Sequence, residues 1–150
     1  MAMSAREAAI AALYVTIATA LAARSPEPQV LRGETVPQRI ASGGLLMIQD
    51  GETVEETAIL SPLRWQVRHV AEVAVAAGGD TPAARAAALD DLLVAIANAV
   101  DGDRTLGGAV EWAQPESPSF DTLDFDGAAS VRMAVVPVSL WFTADATPLS

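Results

Sequence analysis

Two apolar periods alternate along the chain. Ile10, Leu13, Tyr14, Ile17 and Leu21 recur at helical spacing and predict a helix from about Ala5 to Arg24. Ser4-Ala-Arg-Glu7 ahead of it reads as a capping box, and Ser25-Pro26-Glu27-Pro28 ends it. Leu89, Leu92, Leu93, Ile96 and Val100 form a second stripe, opened by Thr81 as N-cap with Pro82 at the first helical position. Gly102 is the expected C′ residue of that helix.

Strand-like patterns lie between and after these helices. Val30-Leu31-Arg32 predicts a short strand. Leu45 to Ile48 follows Gly43-Gly44 and precedes Asp50-Gly51, so it reads as a strand entering a turn. That run is apolar on both faces and fits either a fully buried strand or an interface. Glu52 to Ile59 is acidic and polar and reads as an exposed loop, with a mobile segment expected within 50–60. Arg64 to Ala77 alternates with period two, with small apolar residues on both faces in its second half. Ala109 to Ala113 reads as a strand, Gln114 to Gly127 as a loop, and Ser130 to Thr143 as the last strand. Pro137 places that last strand at an edge or marks a bulge. Trp141 and Phe142 must point to opposite faces, so one of them lies at the rim of the helix layer or meets another subunit. The tail 144–150 is expected to be flexible. The expected fold is α+β, in the order α-β-β-β-α-β-β. It has a mainly antiparallel sheet of four to five strands, with both helices on one face.

The chain has 150 residues, which fits a single domain able to bury its own core. It carries 19 carboxylates against 9 cations, for a net charge of −10, and every cation is Arg. Nonspecific binding to DNA or anionic lipid is disfavoured, because no large basic patch is available. Without Lys there is no Schiff base and no P-loop, and without Cys no thiolate chemistry. The apolar run Ala8 to Ala23 is short for a membrane span, and its capped start favours a folded helix over a signal peptide.

Candidate chemistry is sparse. No GxGxxG, GxxxxGK[ST] or GxSxG motif occurs. His69 is the one conventional general base, and it sits on the apolar face of its strand, where a core or interface role competes with catalysis. Asp121, Asp124 and Asp126 resemble a calcium loop, but Val135 stands where the closing acid belongs. No metal and no cofactor is expected.

One string carries a resemblance. Asp90 to Ile96, followed by Asp103-Arg104-Thr105-Leu106-Gly107-Gly108-Ala109-Val110-Glu111-Trp112, is similar to the tail terminator (tail completion) proteins of long-tailed phages and gene transfer agents. In that family an amphipathic helix ends in a D-x-T-L-G-G-x-V turn into a strand, then a variable loop and a Val-rich closing strand. The resemblance implies a structural virion protein of the tail neck, assembled in the bacterial cytoplasm. Such proteins form a ring, usually of six subunits, that caps the tail tube and stops its polymerisation. The ring faces the head connector and leaves a channel for DNA. The implied partners are further copies of the chain, the major tail tube protein and the connector or stopper protein. The regions 45–59 and 114–126 are the expected contact surfaces, with Arg32, Arg39, Leu45, Leu46, Trp112 and Phe120 as candidate interface residues. Rival readings are another neck component (stopper or adaptor), a small α+β enzyme or ligand-binding domain using His69, and a secreted domain.

Overall fold

The computed structural model describes residues 3–33, 40–123 and 131–150. Helix α1 spans Ala5–Leu21, strand β1 Gln29–Arg32, β2 Leu45–Ile59, β3 Arg64–Gly78 and helix α2 Pro82–Asp101. A short 3-10 turn, Leu106–Gly108, leads to β4 (Trp112–Pro115), β5 (Ser119–Leu123) and β6 (Val131–Asp145). The class is α+β, in the expected element order with one strand added.

The helix starts follow their sequence signals. Ser4 Oγ accepts from the Glu7 N–H at 3.1 Å, and Thr81 Oγ1 from the Ala84 N–H at 3.1 Å. Glu7 does not close the capping box with its side chain; its carboxylate turns to Arg32 instead. Gly102 ends α2 at φ −68°, still right-handed. The left-handed residues come later, at Leu106, Gly107 and Gly108 (φ 50°, 72° and 92°).

The sheet is mixed, six-stranded, and ordered β1-β2-β3-β6-β4, with β5 also on β6. Among the described residues, only β1–β2 is parallel. β3 and β6 pair along fifteen residues, from Arg64↔Asp145 to Gly78↔Val131. Both helices supply one core with a single sheet face. Ile10, Leu13 and Ile17 of α1 and Leu89, Leu92 and Ile96 of α2 pack with Leu46, Ile48, Val73, Val75, Val136, Val138, Leu140 and Phe142. Burying each of these side chains stabilises the fold by about 1.5–3 kcal/mol before entropy is subtracted.

Several sequence expectations are corrected. Segment 52–59 is no loop: it continues β2, exposed but paired to β3 through Ile59↔Arg64. Asp50-Gly51 makes a bulge in the strand, not its end. Gly51 has φ +67°, and a Cβ there would lie 1.8 Å from the Val70 carbonyl oxygen, so only glycine fits. Residues 119–123, expected in a loop, form β5. The strand expected at Ala109–Ala113 lies at Trp112–Pro115. In the tail, Ala144 and Asp145 finish β6, and the Ser150 carbonyl accepts from the Ala5 N–H at 2.9 Å. Pro137 lies in an interior strand rather than at an edge. Its carbonyl accepts from Glu116 N–H, so its N-substituted side faces the gap between β4 and β5, where no donor is required.

Candidate interaction face

The sheet face away from the helices carries a row of polar and aromatic side chains. Strand registers place four residues in one row: Glu55 of β2, Arg68 of β3, Trp141 of β6 and Trp112 of β4. The Arg68 guanidinium lies 5.5 Å from the Trp141 ring centroid, and that of Arg104 lies 5.1 Å from Trp112. The two indoles are cross-strand neighbours with a cation over each.

Hydrogen bonds hold the row from both sides. Ser139 is fully buried; its hydroxyl accepts from Arg68 Nε at 3.2 Å and donates to Glu116 at 3.0 Å. Glu111 accepts from Gln66 Nε2 at 2.9 Å and from the Thr143 hydroxyl at 2.5 Å. These bonds, Thr143 first and Gln66 second, hold the Glu111 carboxyl below the usual carboxylate range. Arg104 donates to the Ala113 carbonyl and to Gln114 Oε1, each at 3.0 Å, and also to Asp101.

The Asp103–Gly108 string therefore has a local explanation. Asp103 accepts from the Thr105 hydroxyl at 3.0 Å and from the Gly107 N–H at 2.7 Å, which closes a tight turn. Leu106 plugs the core, and the two glycines take the left-handed backbone that follows. Arg104 emerges from this turn onto Trp112. Sequence reading did not single out Arg104; its place inside the Asp103–Gly108 turn was the available signal.

The expected interface residues separate into three groups. Trp112 and Phe120 are exposed, at 47% and 57%, and Phe120 lies under the Arg132 guanidinium at 5.6 Å. Leu45 and Leu46 are buried within the chain, at 5% and 0%, so the two-sided apolar run is a strand inside the molecule and neither side chain lies at its surface. Arg32 clamps the Glu7 carboxylate with two bonds of 2.6 and 2.7 Å and reaches Asp50 at 3.3 Å, so it ties α1 to β1 and β2. That pairing lowers the Glu7 pKa and raises that of Arg32. Arg39 lies outside the described residues, as do Asp124 and Asp126. Trp141 faces this surface, while Phe142 enters the core, which decides the adjacent pair.

His69 is a bracing group. It is 3% exposed; its Nε2 meets the Asp50 carbonyl and its Nδ1 the Thr53 hydroxyl at 2.9 Å. A carbonyl only accepts, so Nε2 carries a proton. Both ring nitrogens thus fasten the bulged part of β2 to β3. A groove of about 650 Å³ runs between α1 and the α2–β4 turn, past Ala12, Val15, Thr16 and Leu106, and does not touch His69.

Among the described residues, no group of three or more His, Cys, Asp or Glu converges as a metal ion requires. No helix of the described chain is long and apolar enough to cross a membrane. No protein-family model matches the chain, and no curated protein matches it.

Proposed function

We propose that the protein is a structural ring component of a phage-type tail neck, a tail terminator that closes the end of a tail tube. One observation carries the reading. A single sheet exposes two unlike margins: the acidic outer part of β2 on one side, and the β4–β5 margin with Trp112 and Phe120 on the other. A capping ring needs two kinds of contact, one to its ring neighbour and one to the adjoining ring, and two unlike margins can supply them; the contact within the ring is head-to-tail and closes when the rotation closes. A self-complementary dimer would use the same patch twice.

In this reading the aromatic margin packs against the neighbouring subunit, and rings of six follow from the family resemblance. The outer part of β2 is left for the adjoining ring, whether tail tube or connector. A net charge of −10 suits a channel for DNA, since a lumen that attracted phosphate would retard passage. The rival use of His69 as a catalytic base requires a free ring nitrogen, and both are engaged in the sheet. Native mass spectrometry tests the ring. The expected result is a discrete multiple of the 15.5 kDa subunit that dissociates in the Trp112→Ala/Phe120→Ala variant. A monomer at every concentration would overturn the reading.

A further inference from the structure

We infer that the open edge of β2 at Glu55–Ile59 docks an extended, cationic segment of a partner protein as an added strand. Naming that partner as a component of an adjoining ring rests on the proposed function; the strand chemistry stands without it. β1 covers β2 only at Leu45–Ile48, and from Gln49 outward no strand among the described residues pairs with the other side of β2. An open edge leaves backbone donors and acceptors free to pair with an incoming chain.

Bulges are one of the devices that blunt natural edges. Here the register shifts lie inboard, between Gln49 and Glu52 and between Thr53 and Glu55. Outboard of them, five successive residues pair regularly, from Glu55↔Arg68 to Ile59↔Arg64. Five residues span about 17 Å, an ordinary strand length, enough to register a second strand.

Charge selects the occupant. Residues 49–63 contain four carboxylates (Asp50, Glu52, Glu55 and Glu56) and no cation. Arg68 of the neighbouring strand reaches Glu55 at 3.5 Å, but it also stacks on Trp141 and bonds Ser139, so it only partly offsets the edge. A second copy paired edge to edge here would set acid against acid. Four of the nine arginines, Arg24, Arg32, Arg68 and Arg104, are already paired with the chain's own carboxylates. Glu55 and Glu56 point to opposite faces of the strand, and Ile59 shares a face with Glu55. The matching segment therefore carries two adjacent cations, one for each face, and an apolar residue three positions beyond the nearer one.

The probe is a capped nine-residue peptide with two adjacent lysines and a valine at that spacing in a threonine frame. Its control is the same peptide N-methylated at alternate residues, which keeps the charge and loses the backbone pairing. Binding is read by fluorescence anisotropy, and its location by amide exchange at 55–59. The expected result is saturable binding that slows exchange at 55–59 and weakens at least about tenfold in Glu55→Lys/Glu56→Lys. Raising salt from about 50 to about 300 mM weakens it as well. Glu55→Gln/Glu56→Gln gives an intermediate loss and guards against misfolding of the reversal variant. Equal binding of the N-methylated peptide, no binding, or protection of 55–59 by self-association of the protein alone would each overturn the proposal. A protein that forms rings yet ignores the peptide keeps the ring and loses this edge. A monomer that binds the peptide does the reverse.

Discussion

The two halves of β2 share one backbone strand and one partner, yet they obey different rules. Leu45–Ile48 is buried on both faces and paired on both sides, to β1 and β3. Among the described residues, 49–59 pair on one side only, and apart from the half-buried Thr53 every one of them is exposed. Two bulges separate the halves, pinned by His69 and by Gly51, where only a glycine fits. The inner half is there to fold. The outer half contributes little apolar burial, so its strand geometry is held by β3 and the bulge, and its side chains are free to serve contact. A sheet can thus extend an interaction edge beyond its core without exposing the core.

The comparison breaks most visibly at Leu46. It is wholly buried, so Leu46→Ala should cost about 3 kcal/mol in urea unfolding, whereas Ile59→Ala should cost less than about 0.5 kcal/mol. Equal losses would mean that the outer half is part of the core. At the junction, Gly51→Ala should cost about 2–3 kcal/mol, since its Cβ meets the Val70 carbonyl and φ is positive. A neutral result would show that the bulge is not needed to turn β2 outward.

A smaller effect follows pH. Arg32 holds the Glu7 carboxyl below its ordinary range while also reaching Asp50 beside the bulge. A depressed carboxyl contributes stability above its unfolded pKa and loses it as pH falls through the folded value. Unfolding free energy should stay level between about pH 7 and 5.5 and fall below about pH 5, in the range where unfolded carboxylates titrate. Glu7→Gln should remove part of that slope, by less than about 1 kcal/mol because the pair is half-exposed. An unchanged slope would remove the clamp from the account. Smallest of all, Glu55→Lys/Glu56→Lys should shift stability by no more than about 0.5 kcal/mol.

Most of the inner molecule was legible in the chain. Periods of 3.6 and 2 placed both helices and β3, and Ser4 and Thr81 marked the helix starts, because burial on one face leaves that imprint. The outer part of β2 left none. With both faces wet and two bulges shifting the phase, Glu52–Ile59 shows no alternation and reads as a loop. β5 was hidden by Pro115 and Pro118 on its approach. Leu45 and Leu46 illustrate a different loss: a strand buried on both faces and an exposed sticky strand have the same composition. Trp112 and Phe120 were already candidate interface residues in the sequence. The cation over each ring depends on β6 and on the α2–β4 turn, and local spacing does not report such contacts.

The proposed ring would close on the end of a tube. Electron microscopy of the purified protein mixed with tail tubes tests it most directly. The expected images show a single ring with an open centre seated on one end of each tube, and tubes that no longer elongate. Free monomers beside unblocked, growing tubes would contradict it.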